Sequence, residues 1–309
     1  MRLVFLGTPQ FAVPTLEALV EAGHEVACVY TQPDRPKGRG GAPAESAVKQ
    51  AARRLGIEVR QPERIRHCLE ELSGIDADAM VVVGYGQIIP QAIIDLPSLG
   101  IINVHASLLP AYRGAAPIQW AVASGETVTG VTTMMINAGL DTGDILLKEE
   151  CAIGPEETAL ELGPRLAELG AGLAVDTLLG LALGAIERIP QDDTQATLAP
   201  ILTRDDGRID FSQKAAAIHN RARGFLPWPG AWTTFRGQRF HIWRCRTAEV
   251  EHPAVGGLLF SHGRRLYAAC GGGTTLELLE VQVEGRKRVD AGAFLNGQRL
   301  SESELLGES

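Results

Sequence analysis

The chain has 309 residues, which corresponds to roughly two domains at about 150 residues each. Its 45% hydrophobic and 21% charged residues exclude a disordered, collagen-like or disulfide-stapled chain, and no apolar run approaches the roughly 20 residues of a membrane span. The net charge of −8 argues against a nucleic-acid partner, but it is uneven: residues 1–203 carry 14 Lys and Arg against 25 Asp and Glu, and the remainder 15 against 12.

In chain order, Arg2–Leu6 reads as a buried first strand rather than a signal peptide, because its apolar stretch is too short. Val13–Ala22 reads as a helix beginning beside Pro14 and ending at Gly23. A strand over Glu25–Tyr30 follows, then a Pro-, Gly- and Arg-rich loop from Thr31 to Pro43. Ala44–Leu55 is helical and Ile57–Arg60 a short strand. Ala79–Val83 is an entirely apolar strand, Gln87–Ile94 a short helix and Gly100–Val104 another strand. This alternation predicts a Rossmann-like, mostly parallel α/β sheet with helices on both faces, whose ligand lies beyond the carboxyl ends of its strands.

Thr129–Ile136 and Ile145–Cys151 read as two strands around the turn Asn137-Ala138-Gly139-Leu140-Asp141-Thr142-Gly143. A long helix is expected from Glu156 to about Leu183, bent near Gly163-Pro164. Residues 184–203 mix Gly, Pro, Gln, Asp and Thr and read as a linker, and Ser212–Arg223 as a helix. Gly-separated runs at 231–236, 238–246, 256–260, 265–269 and 274–283 predict a smaller C-terminal β-barrel or sandwich. The domain expectation is therefore a first domain over 1–183, a linker over 184–203 and a barrel over 204–309.

The five cysteines are scattered without a Cys-x-x-Cys pair, which points to reduced packing thiols in a cytoplasm and to no metal. No heptad run is present, and a monomer is expected. Phosphate-binding loops and the esterase elbow are absent, since Gly38-Arg39-Gly40-Gly41 and Gly84-Tyr85-Gly86 fit neither glycine template.

The richest polar segment is Asn103-Val104-His105-Ala106-Ser107-Leu108-Leu109-Pro110. Asn103 and His105 are two apart at a strand end, so their side chains share one face. An amide donor beside an imidazole suits a reaction at a carbonyl, where one group holds a developing oxyanion and the other manages a proton. A strand-end cap and a histidine bonded to a backbone carbonyl would give the same pattern, so the pair alone does not decide. Asp141 lies in a Gly-flanked turn, where it could orient an imidazole or bond its own backbone. Arg35, Lys37 and Arg39 place three cations in five residues, which suits either a phosphate backbone or solvent. Arg236, Arg239, Arg244 and Arg246 add cations to the C-terminal strands; Phe225 and Trp228 are expected to fill the junction between the domains.

Taken together, Phe5-Leu6-Gly7-Thr8-Pro9, Val83-Gly84-Tyr85-Gly86-Gln87-Ile88-Ile89-Pro90, Asn103 to Pro110 with Arg113-Gly114-Ala115-Ala116-Pro117-Ile118, and Gly139-Leu140-Asp141-Thr142-Gly143-Asp144 resemble the methionyl-tRNA formyltransferases, a branch of the folate-dependent formyltransferase family. Asp206-Gly207-Arg208-Ile209-Asp210-Phe211 and Arg223 to Ala231 extend the resemblance nearly end to end. It implies Asn103, His105 and Asp141 as the catalytic trio and Ser107, Leu108, Leu109 and Pro110 as the folate-binding segment. It also implies that the loop bearing Arg35, Lys37 and Arg39 meets the tRNA acceptor arm, and that the barrel is of the oligonucleotide-binding type. The implied reaction moves the formyl group of 10-formyltetrahydrofolate, a donor substrate, to the α-amine of the initiator methionyl-tRNA. Two positions depart from the family pattern: Gly41-Ala42-Pro43 replaces a frequent Lys pair, and Ile201 a frequent Lys. An amino sugar nucleotide or a glycinamide ribotide is the alternative acceptor, with hydrolysis or plain RNA binding as alternatives of other classes.

Overall fold

A computed structural model describes residues 1–36, 43–251, 255–301 and 303–307. Lys37 and Arg39 lie outside the described residues. The first half contains β1 (Arg2–Gly7), α1 (Val13–Glu21), β2 (Glu25–Tyr30), the two-residue strands β3 (Arg35–Pro36) and β4 (Pro43–Ala44), α2 (Ala47–Arg54), β5 (Val59–Arg60), α3 (Leu69–Ser73), β6 (Ala79–Val83), α4 (Gln91–Ile94) and β7 (Ile101–His105). Then come α5 (Pro117–Ser124), β8 (Val128–Met135), β9 (Ile145–Ala152) and α6 (Ala159–Ala182).

These form a seven-stranded sheet in the order β5-β2-β1-β6-β7-β8-β9. The first five strands are parallel, and β8 and β9 add antiparallel pairs. This is the Rossmann-like arrangement that the sequence predicts. All five residues of β6 are buried, as a strand covered on both faces requires; each fully buried Val is worth about 1.5–3 kcal/mol. At the edge, β9 turns charged through Lys148, Glu149 and Glu150, which discourages further pairing. The strand order reverses between β1 and β6, so ligand space lies beyond Gly7 and Val83.

Element bounds differ locally from the sequence reading. The second helix starts at Ala47 rather than Ala44, because Ser46 caps it by accepting from the Lys49 amide at 3.1 Å. The long helix starts at Ala159, where Thr158 and Glu161 form a reciprocal capping box. It runs to Ala182 with Pro164 inside its second turn. The short helices α3 and α5 have no counterpart in the sequence reading.

The C-terminal part comprises α7 (Ala215–Gly224), β10 (Ala231–Phe235), β11 (Gln238–Ala248), β12 (Leu259–His262), β13 (Arg265–Cys270), β14 (Thr274–Val283), β15 (Val289–Asp290) and α8 (Ala291–Gly297). The antiparallel sheet runs β10-β11-β14-β13-β12, with β15 on β14. Its two edges are joined by the chain end: Leu306 bridges Phe235 at the end of β10, and Leu305 bridges Leu258 beside β12. Phe235, Phe240 and Phe294 meet inside at ring-centroid distances of 5.4–5.6 Å.

Two compact units emerge: residues 1–115, 128–152 and 163–199, and residues 116–127, 153–162 and 200–309. Within the second, Phe225 is buried edge-on to Trp120, whereas Trp228 is exposed. Four cysteines are buried and Cys151 is half-buried. Burial pushes the Cys28 thiol up to about 11 and those of Cys245 and Cys270 up to about 12, so all three are protonated packing groups at neutral pH. Among the described residues, no group of three His, Cys, Asp or Glu could hold a metal, and no helix is long and apolar enough to cross a membrane.

Candidate active site at the carboxyl end of the fifth parallel strand

Alternation along β7 buries Ile102 and Val104 on one face and carries Asn103 and His105 on the other. His105 ends the strand, 6% exposed. Its Nε2–H donates to the Tyr112 carbonyl at 2.9 Å, and its Nδ1 faces the Asp141 Oδ2 at 3.7 Å. Both ring nitrogens therefore face oxygens that only accept. The chain supplies Asp141 from the β8–β9 turn, 38 residues beyond Asn103. Its Oδ1 accepts from the Asn103 Nδ2 at 3.4 Å and its Oδ2 from the Gly114 amide at 2.8 Å. The three residues that the resemblance implies are thus brought together around one carboxylate.

Two of the four non-glycine residues described with left-handed φ belong to this cluster, Tyr112 at 61° and Asp141 at 52°. Such backbone costs of order 1–3 kcal/mol per residue and persists where its surroundings overdetermine it. Here the restraint is visible. Gln191 Nε2 donates to the Asp141 and Gly143 carbonyls at 2.9 and 2.7 Å. Its Oε1 accepts from Arg113 Nε and Nη2 at 3.0 and 2.8 Å, and Arg113 Nη2 also reaches Asp193 at 2.7 Å. The 112–114 loop is itself strapped by Thr197 and Ala199, through Thr197 Oγ1 to the Tyr112 amide and backbone bonds to Arg113. Gln191 and its straps come from the stretch read as a linker, where polar residues without periodicity give no signal.

The segment Ser107–Pro110 follows directly. Ser107 Oγ donates to the Ala111 carbonyl at 2.6 Å. Thr132 Oγ1 donates to the Ser107 carbonyl and accepts from the Leu109 amide. Lys148 Nζ donates to the Leu109 carbonyl. Ser107 and Leu109 are buried, with Leu109 packed on Met134 and Ile145; Leu108 and Pro110 are partly exposed. Leu108 lies over Gly130, where an added Cβ would meet it at 2.5 Å. Nearby in the topology, the loop after β6 exposes Ile88 and the β8–β9 turn exposes Leu140.

Arg35 is exposed at the base of its loop. Asp34 beside it is held by Lys49 Nζ and by Gln61 Nε2. The hydrogen bond from Lys49, then that from Gln61, keeps the Asp34 carboxyl below its usual range. On the barrel, Arg239 lies over the Trp232 ring at 4.1 Å and Arg288 over Trp243 at 5.1 Å.

The formyl transferase family profile matches residues 1–178, and the profile of the formyl transferase C-terminal domain matches residues 201–299. The chain is 66% identical to the methionyl-tRNA formyltransferase of Solibacter usitatus, covering 100% of this chain and 99% of the relative. It is 56% identical to that of Acidobacterium capsulatum, with 99% and 100% covered. An N-formyltransferase from Helicobacter canadensis, solved in complex with folinic acid and dTDP-3-aminofucose, superposes with a TM-score of 0.68 at 18% identity, over 89% of this chain and 98% of that one. That likeness is one of fold. With matching profiles over both parts and relatives this similar from end to end, the chain belongs to the formyl transferase family.

Proposed function

We propose that this protein transfers the formyl group of 10-formyltetrahydrofolate to the α-amine of methionyl initiator tRNA. The observation that carries the reading is the convergence of Asn103, His105 and Asp141 in a chain whose full-length relatives are methionyl-tRNA formyltransferases. The neutral amine attacks the formyl carbon, the new C–N bond forms, and negative charge grows on the formyl oxygen. The Asn103 Nδ2, bonded to Asp141 at 3.4 Å, is the donor for that oxygen, with His105 beside it. One such donor is worth about 3 kcal/mol of transition-state stabilisation. Asp141 holds the imidazole and takes part in moving the amine proton to N10, whose bond to the formyl carbon then breaks. The whole exchange balances without a metal.

The Ser107–Pro110 loop, rigid through its own bonds, forms one wall for the donor; Ile88 and Leu140 offer apolar surface for its ring system. Residues 1–183 carry the catalytic side chains, 184–203 lead on from them and strap the site, and 204–309 support the tRNA through Trp-stacked arginines, with the loop of Arg35, Lys37 and Arg39 meeting the acceptor arm. A single chain in the cytoplasm completes the reading. The test is a formyl-transfer assay with charged initiator tRNA beside uncharged tRNA, glycinamide ribotide and an amino sugar nucleotide. Formylation of the charged tRNA alone is the expected result. Formylation of a small acceptor in its place overturns the acceptor.

A further inference from the structure

Gln191 lies outside every motif of the sequence, yet it is bonded on one side to a buried arginine and on the other to the turn that carries Asp141. Its orientation is fixed by chemistry. A guanidinium only donates and a backbone carbonyl only accepts, so the amide oxygen must face Arg113 and the amide nitrogen the turn. We infer that Gln191, held by Arg113, is a positioning residue for formyl transfer, setting where the Asp141 carboxylate stands relative to His105 and Asn103. The inference rests on the proposed roles of those three residues.

The tripeptide Tyr112-Arg113-Gly114 shows why. Its first carbonyl accepts from His105, its guanidinium holds Gln191, and its last amide donates to the Asp141 carboxylate. One rigid loop thus fixes the imidazole, the carboxylate and, through Gln191, the backbone beneath the carboxylate. Without the two carbonyl bonds, Asp141 keeps only its side-chain bonds from the Gly114 amide and, at 3.4 Å, from Asn103 among the described residues. Arg113 is 7% exposed, and its bidentate grip leaves the Gln191 amide little freedom.

Two variants separate the roles. Gln191→Glu keeps the acceptor for Arg113 and removes the donors to the turn. Gln191→Met keeps the length and removes both. Each is assayed for steady-state formyl transfer beside the wild type, with melting temperature and, for Gln191→Met, a crystal structure. A misplacement of about 1 Å at a reacting centre costs on the order of 100-fold. The expected result is therefore a fall in kcat of about 10- to 100-fold, with KM for donor and acceptor within about threefold of wild type. In the crystal, Asp141 should leave the left-handed region or its Oδ2 should move from the 3.7 Å position at His105. Wild-type kcat in Gln191→Glu overturns the inference, as does an unmoved Asp141 in Gln191→Met; a lowered melting temperature with full kcat would make Gln191 a stability residue only. If the wild type fails to formylate methionyl-tRNA, the acceptor reading falls alone, and the crystal structure, which needs no substrate, still decides the role of Gln191.

Discussion

At the residue scale, His105 shows how a sequence pattern with two meanings resolves. A histidine bonded to a backbone carbonyl was one reading of the strand end, and the Tyr112 carbonyl does take its Nε2–H. The same ring nevertheless faces Asp141, so the structural bond and the chemical arrangement coexist: the carbonyl orients the ring for the carboxylate. Asn103 has no comparable structural duty, since among the described residues its side chain makes only the long bond to Asp141. Asn103→Ala should therefore leave folding and folate affinity nearly unchanged while kcat falls about 100- to 1,000-fold, the range for loss of one oxyanion donor. Steady-state kinetics beside a folate-binding titration check it; equal loss of binding and turnover would give Asn103 a structural role instead.

At the element scale, the site depends on loops that strands alone do not determine. Gly114 has φ of +123°, and a Cβ there would stand 2.6 Å from the Ala199 carbonyl oxygen. That backbone is closed to other residues, and the strap at Ala199 cannot retreat without loosening the Gly114 amide from Asp141. Gly114→Ala should thus destabilise the fold by about 2–4 kcal/mol, from strain and overpacking together, and lower kcat in parallel. Thermal unfolding and kinetics on the soluble variant test both effects. The lesson of bounds is also local. The second helix begins where Ser46 caps it, a signal present in the sequence two residues inside the predicted start at Ala44. The eight-residue α5 hides because its apolar residues lack a clear stripe, even though Pro117 at its start is the same kind of helix-start signal as Pro14.

At the scale of the whole molecule, the acidic total conceals a C-terminal part with an excess of three cations, 15 against 12. Several of those arginines are partly neutralised, as Arg236 is by Glu304 and Arg246 by Glu277. Arg239 lies over the Trp232 ring, and Arg288, although also paired with Glu280, over that of Trp243, an arrangement that presents cation and aromatic surface together. The apparent affinity for methionyl-tRNA should fall with salt, each phosphate contact adding about 0.7–0.9 to the log–log slope. Arg239→Ala should reduce that slope in filter binding; a flat salt response would remove the barrel from tRNA recognition.

The sequence by itself determined what depends on local periodicity and on residue type. The short unbroken apolar runs of β1 and β6 fit strands buried on both faces, and their alternation with helices points to a parallel sheet. The two-residue spacing puts Asn103 and His105 on one face whatever the surroundings. Tertiary structure decided what depends on contacts across long separations. Asp141 reaches Asn103 over 38 residues and Gln191 reaches Asp141 over 50, through hydrogen bonds that leave no period in the chain. The polar stretch 184–203 looks like any connector because its backbone is satisfied by isolated bridges, Ile189 to Ile145 of β9 and Thr197 and Ala199 to Arg113, rather than by a long regular element of its own. Closure of the C-terminal sheet is likewise invisible locally, since Leu305 and Leu306 become edge partners only when β10 and β12 are already in place.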